Sequence, residues 1–337
     1  KITGPTLKEH FLVRHGGCYA CPLASARITE VKGEVWGQQY AGQGEGPAYE
    51  TIGSLGSACG IDNMAAIAKG NYLCNELGLD TISTGLTIAS AMELYSKGVL
   101  SEEQIGWPLP FGDADGMLAT IRAAARRQGF GHQVAQGSWR LASAYGHPEV
   151  SITAKKLEFP SYDARGLKGM GLLYATSNIG ASHMAGDTAY TELFGVGQKL
   201  DGLAYEGKAE LTKHFQDVFA LIDAAGLCVF VAIRYTLDTA NGYIPTRISE
   251  MVNHATGSNY TPESLLEAAE RIYNLERLFL TKAGFTRADD TLAQRMFEPM
   301  PAGPVQGETF DLDRLLDDYY AARGWDANGI PTQERLE

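Results

Sequence analysis

The sequence predicts a mainly α-helical protein of two domains. Three observations lead there. Apolar residues recur at helical spacing in several long runs, and those runs open on capping residues and close on glycine. Alternating apolar and polar residues, the mark of a half-buried strand, are scarce. The length of 337 residues suits about two domains of ordinary size, and the composition changes near Val150–Leu157. There β-branched residues give way to Pro160-Ser-Tyr-Asp163-Ala-Arg165-Gly166. The expected domains are therefore 1–152 and 153–337.

Residues 1–50 are rich in glycine and poor in periodic apolar positions, so they read as irregular structure around a site. Asp62 and Asn63 are placed to cap a helix that runs to Leu77, with Gly78 as its left-handed stop. A second helix covers about Ile82 to Lys97, with Ile88, Met92 and Tyr95 on one face and Gly98 at its end. Ser101-Glu-Glu-Gln104 is a capping box. Two further helices are expected over Ala114–Arg127 and His132–Tyr145, ended by Gly129 and Gly146. Beyond the glycine-rich segment Gly166–Gly180, an amphipathic helix runs from Ala209 to about Ala225. Thr261-Pro262-Glu263 starts another, reaching Ala283. The tail, with Pro299, Pro301 and Pro304, reads as an ordered strap.

Hydrophobic residues make up 45% and charged residues 20%, the balance of a globular chain able to bury a large core. The net charge is −12 and no block of Lys or Arg stands out, which argues against a nucleic-acid backbone as partner. No apolar run approaches the roughly 20 residues needed to span a bilayer. The five cysteines are odd in number and unevenly spaced, which points away from a disulfide framework and toward thiols or metal ligands in a reducing, cytoplasmic setting. The start at Lys1, without Met or targeting segment, is that expected of a processed, split or partial polypeptide.

The residues with chemical potential begin with Cys18-Tyr-Ala-Cys21. This spacing lets two thiols reach one metal centre, and it equally suits structural thiols or a redox dithiol. Zinc usually takes four ligands, often as two such pairs, and no second pair exists. An iron–sulfur cluster takes a close group of thiolates and one distant Cys, for which Cys228 is the candidate. Cys59 and Cys74 sit in small-residue or helical context and read as buried thiols. Asn75-Glu-Leu-Gly78-Leu79-Asp80 echoes Asp223-Ala-Ala-Gly226-Leu227-Cys228. Both read polar-x-x-Gly-Leu-polar at a helix end. Such ends either present acceptors to amine and ring N–H donors or are ordinary glycine C-caps. Glu50 and His183 are the natural acid–base pair, because a partly desolvated Glu can be raised toward the neutral range where His titrates. The other histidines show no ligand spacing.

Taken together these segments resemble the tungsten-containing aldehyde:ferredoxin oxidoreductase family over nearly the full chain, in its second and third domains. The resemblance is carried by Cys18-x-x-Cys21-Pro, Gly46-Pro-x-Tyr49-Glu50, Asn75-Glu-Leu-Gly78-Leu-Asp80-Thr81, Tyr162-Asp163-x-Arg165-Gly166, Gly171-x-x-Tyr174-Ala175-Thr176 and Asp223-x-x-Gly226-Leu227-Cys228. Met300-Pro-x-Gly303-Pro and Tyr320-x-x-Arg323-Gly324-Trp325 also match. It implies two helical domains on a base domain, with a tungsten or molybdenum bis-pterin centre beside a [4Fe–4S] cluster. It further implies oxidation of an aldehyde to a carboxylic acid, with electrons leaving to ferredoxin. Carried over by residue, Cys18, Cys21 and Cys228 are cluster ligands. Asn75, Asp80, Thr81, Asp223 and Leu227 belong to the pterin loops, and Glu50 and His183 are the acid–base residues.

Three departures stand out. Ser25 occupies the remaining ligand position of the cluster, so the cluster would have altered ligation or be absent. Asn75 stands where the family usually has Asp. Lys69 and Tyr72 stand where some members have Glu-x-x-His, so no iron at a dimer interface is expected. The base domain completing the pterin site would come from elsewhere. Two alternatives are kept: another low-potential redox reaction on the same scaffold, and a non-catalytic assembly homologue.

Overall fold

A computed structural model describes residues 1–236 and 245–337, with the side chains of 234–236 left out. The protein is mainly α-helical and forms two compact units, Lys1–Ser161 and Tyr162–Glu337.

In the first unit, Asn63 opens the helix Met64–Leu77 by accepting from the backbone N–H of Ala65 and Ala66 at 3.0 and 3.3 Å. Asp80 opens the next, Thr81–Ser96, by accepting from Ser83 N–H at 2.7 Å. The Ser101–Gln104 capping box is present. The helix Ala114–Arg126 closes on Arg127, which itself takes the left-handed conformation two residues before the expected glycine. The helix expected over His132–Tyr145 is two short ones, Gly131–Val134 and Ser138–Ala144, parted by Gly137 at φ +86°. Fully buried Leu55, Ile67, Ile88, Met92, Met117 and Ile121 form the centre of this unit's core.

The first fifty residues are more regular than their sequence suggests. They hold a helix, Gly4–His10, and an antiparallel sheet of three strands in chain order, Leu12–Gly16, Ala26–Val31 and Gly42–Glu45. The third strand, Gly-Gln-Gly-Glu, has no apolar alternation to announce it. Its two glycines let the Tyr72 ring lie on the strand, since a Cβ at Gly42 or Gly44 would approach that ring to 3.0 or 3.1 Å. The Tyr72 hydroxyl then meets Thr29 Oγ1 at 2.7 Å, joining the sheet to the helix Met64–Leu77.

The hairpin Thr153–Ala154 with Leu157–Glu158 lies in this first unit. Buried Glu158 secures it there, accepting from Ser138 N–H at 2.8 Å and Ser138 Oγ at 2.9 Å. That carboxylate takes the place of an N-cap on the helix Ser138–Ala144.

In the second unit, Lys168–Thr176 is a helix buried along its whole length. Around it run Lys208–Ala224, Val229–Thr236, Thr246–Thr256 and Pro262–Lys282, the last opened by Thr261 as expected. The strap after Pro299 is non-helical, but it leads into a further helix, Asp313–Arg323. Its Leu315, Leu316, Tyr319 and Tyr320 are buried.

Arg323 at the end of that helix is fully buried and central. Its guanidinium pairs with Asp217, donates to Gln216 Oε1 at 2.8 Å and lies 4.0 Å above the Tyr273 ring. Gln216 passes the chain on by donating to Thr176 Oγ1 at 3.1 Å. A charge taken out of water this completely is tolerable only when fully paired. Replacing Arg323 by Met should leave Asp217 with Lys213 as its remaining cation, remove a donor from Gln216 and cost about 3 kcal/mol. Urea denaturation of the purified protein measures this, and a loss below about 1 kcal/mol would contradict the structural role.

Candidate functional site

In the first unit the chain leaves the third strand through Gly46-Pro47-Ala48 and turns at once into Tyr49–Thr51, which continues as a π-helix over Ile52–Ser57. The wide turn shows in the backbone bonds Ala58 N–H to Gly53 O and Ile61 N–H to Gly56 O, each at 2.9 Å. Such turns cost regular hydrogen-bond geometry and recur at functional sites. Here the turn carries Glu50, which is 8% exposed. Glu50 Oε2 accepts from Ser161 N–H at 2.7 Å, whereas buried Oε1 has no hydrogen-bond partner. Burial raises the proton affinity of this carboxyl, and the Ser161 hydrogen bonds offset part of the rise.

The π-helix is fastened to the start of Thr81–Ser96. Thr51 Oγ1 and Thr81 Oγ1 share a hydrogen bond of 2.8 Å, and Ser54 Oγ donates to Thr81 O at 3.0 Å. Thr81, beside exposed Asp80, thus joins the element that carries Glu50.

The two echoing loops have one geometry. Gly78 and Gly226 both stand in the left-handed region, at φ +69° and +66°. The leucine after each donates its N–H back five residues, Leu79 to Cys74 O at 2.9 Å and Leu227 to Ile222 O at 3.0 Å. Each leucine side chain packs on its unit's core. Glycine and leucine are thereby explained as helix termination. The polar members Asn75, Asp80, Asp223 and Cys228 are exposed, and of these Asp80 already spends one oxygen on capping the helix Thr81–Ser96. Cys228 O also starts the helix Val229–Thr236, accepting from Val231 and Ala232 N–H at 3.0 and 2.9 Å.

Cys18 and Cys21 are free thiols, exposed and half-exposed. The Cys21 N–H donates to Cys18 O at 3.0 Å, so one tight turn carries both. Ser25 is exposed just before the second strand. Cys59 and Cys74 are buried, and burial pushes both thiols up to about 12. They are core residues. Among the described residues, no three His, Cys, Asp or Glu side chains gather in a metal-holding group.

In the second unit, His183 begins a single 3₁₀ turn, His183–Ala185, started by Ser182 Oγ accepting from Met184 N–H. Its Nδ1 is buried without a hydrogen-bond partner, and its ring centroid lies 6.1 Å from that of Tyr162. Burial lowers its pKa to about 4, so the imidazole is neutral at pH 7. Next to it, Met184, Ala185, Asn178, Gln216, Asp223 and Glu276 help line a cleft of about 90 Å3. Burial also raises the Asp223 carboxyl above its usual range. Asp223 lines this cleft, and His183 directly precedes its lining residue Met184 in the chain. Asn178 and Gln216 are cleft residues that no sequence signal marked, since neither amide has a spacing that distinguishes it.

Two helical units, each with a glycine–leucine turn beside a buried titratable group, constitute a known fold. A solved structure, the active site complex BamBC of benzoyl coenzyme A reductase with 1,5-dienoyl-CoA, shares it with a TM-score of 0.75 at 18% identity, over 98% of this chain and 53% of that one. The chain belongs to the aldehyde ferredoxin oxidoreductase family, matching the description "Aldehyde ferredoxin oxidoreductase, domains 2 & 3" over residues 1–337. It is 43% identical to a tungsten-containing aldehyde ferredoxin oxidoreductase of Pyrococcus furiosus and 41% identical to that of Thermococcus kodakarensis, over 99% of this chain and 54% of each relative. An aliphatic sulfonate oxidoreductase, WOR-like subunit, of Pyrococcus furiosus is 30% identical over 95% of this chain and 49% of its own length. The chain thus spans about half the length of the curated relatives it matches.

The neutral state of His183 has a measurable consequence. Between about pH 6.5 and pH 4 an unfolded chain binds a proton at this histidine and the folded one does not. Stability falls as the pH drops through that window and recovers as it rises. In a His183→Gln variant this part of the pH dependence should vanish in denaturation curves, while the wild type keeps it.

Proposed function

We propose that this chain is the acid–base and loop-bearing part of an oxidoreductase that converts aldehydes to carboxylic acids. The observation that carries the reading is Glu50: a buried carboxylate on a π-turn, with one oxygen hydrogen-bonded and the other left open. Burial makes such a group easier to protonate than an exposed carboxylate, and its open oxygen can take up and release a proton as general acid–base catalysis requires.

A tungsten or molybdenum bis-pterin centre, when bound, would supply the two-electron redox chemistry, and a [4Fe–4S] cluster the exit for electrons toward ferredoxin. The residues present fit such groups. Exposed Asn75, Asp80 and Asp223, with Thr81 and Leu227 in the same turns, offer acceptors suited to the amino and ring N–H donors of a pterin. The free thiols Cys18 and Cys21 share one turn, and Cys228 is free and exposed, giving soft donors suited to iron–sulfur chemistry. Ser25 would add a harder oxygen donor or leave one iron without a protein ligand.

Glu50 exchanges the proton that accompanies addition of water to the carbonyl. His183, kept neutral by burial, can donate an N–H to oxygen as negative charge develops there. The rest of the pterin site comes from a base domain or subunit, a partner consistent with the half-length match. The activity belongs to a reducing, cytoplasmic setting; among the described residues no helix is long and apolar enough to cross a membrane.

A second reading, another low-potential redox reaction on the same scaffold, draws on the likeness to the aliphatic sulfonate oxidoreductase subunit. A third, a non-catalytic assembly homologue, draws on Ser25. Metal analysis of the purified complex separates these. Tungsten or molybdenum near one per chain with about four irons supports either redox reading. Neither metal at any loading leaves only the scaffold. Aldehyde-dependent viologen reduction then tests the substrate class. Glu50→Gln should lower kcat by about 10²–10⁴-fold with metal content unchanged, and full activity in that variant would overturn the role given to Glu50. Cys228→Ala should lower the iron content of the complex, and an unchanged iron count would remove it as a ligand.

A further inference from the structure

Glu50 is held by a residue the sequence gives no reason to single out. Ser161 lies 111 positions downstream, at the very end of the first unit. Its backbone N–H donates to Glu50 Oε2 at 2.7 Å, and its hydroxyl lies near enough to favour the ionised carboxyl. The space for that hydroxyl is made by Gly53, one turn after Glu50. A Cβ at Gly53 would stand 1.9 Å from Ser161 Oγ and 2.8 Å from its Cβ.

No other donor competes among the described residues. The Thr51 hydroxyl is engaged with Thr81, and Ser54 Oγ donates to the carbonyls of Thr51 and Thr81. The Tyr49 phenol is the one other titratable group whose acidity responds to Glu50, and its hydroxyl is directed to Ser161 O at 3.5 Å.

We infer that Ser161 is a positioning residue for Glu50. Its N–H anchors one carboxylate oxygen and its hydroxyl sits alongside in the space left by Gly53, so that the buried, unbonded Oε1 is the oxygen presented for proton exchange. The inference rests on Glu50 being the acid–base residue of the proposed reaction. Its physical content is separable from that: a donor on one oxygen fixes the carboxylate's rotation, and a neighbouring hydroxyl favours its ionised form. A lone hydroxyl lost from such a site should make the carboxyl easier to protonate.

The test is infrared difference spectroscopy on the full-length protein across a pH titration. The protonated-carboxyl band of Glu50 is assigned by its loss in Glu50→Gln. In Ser161→Ala the midpoint of that band should move up by about one pH unit, a tenfold gain in proton affinity. The acid limb of kcat/KM should move with it, while KM on the alkaline plateau stays put. Ser161→Thr keeps the hydroxyl and should keep the wild-type midpoint. Ser161→Gly, which removes the hydroxyl and retains the N–H, provides a second deletion with the same expected shift as alanine. An unmoved midpoint in the alanine and glycine variants, or an equal shift in the threonine variant, overturns the inference. If the band shifts as expected while Glu50→Gln stays fully active, Ser161 still holds Glu50, and it is the catalytic role of Glu50 that fails.

Discussion

Both units depend on the need to close a helix whose last carbonyls have no partner within it. In each, a glycine in the left-handed region lets the following leucine return its N–H five residues back and drop its side chain onto the core. The chain then starts a new helix within a few residues, Thr81–Ser96 in one unit and Val229–Thr236 in the other. Any residue with a Cβ at Gly78 or Gly226 would pay about 1 kcal/mol for that backbone. The restraint also does something for chemistry. It fixes a short loop in which Asp80 also caps the next helix, while Asn75, Asp223 and Cys228 are left exposed.

The two units solve the problem of buried charge differently. The second encloses Arg323, Arg277, Lys168 and Lys208, each paired with a carboxylate. Arg277 meets Asp290 at 2.6 Å, and Lys208 meets Glu192 at 2.6 Å. The first buries two carboxylates, Glu158 and Glu50, with neutral donors. Glu158 is satisfied by backbone and hydroxyl donors and serves a helix start. Glu50 differs in keeping one oxygen unbonded.

Much of this was legible in the sequence because it is local. Asn63, Ser101 and Thr261 announce helix starts through their own neighbours, and Gly78 and Gly226 announce the ends. Arg127 shows the limit of the rule, since a non-glycine residue took the left-handed position two places early. The sheet of the first fifty residues was illegible because its pattern is not in the strands but in Tyr72, which packs on them from a helix. Glu50 and His183 could be picked out by residue type and by family likeness. Their burial, the open Oε1 and the bond to Ser161 depend on partners distant in sequence, which periodicity cannot reach.

The burial of Cys59 and Cys74 has a consequence for handling this protein in air. Both thiols are sealed in the core of the first unit and remain protonated, so they lack the thiolate that oxidants attack. Oxygen damage therefore falls on Cys18, Cys21 and Cys228, whose sulfurs lie outside the packed interior. Exposure to air can oxidise these three accessible thiols while leaving the packed architecture whole, so a folded preparation is no proof that its thiols are intact.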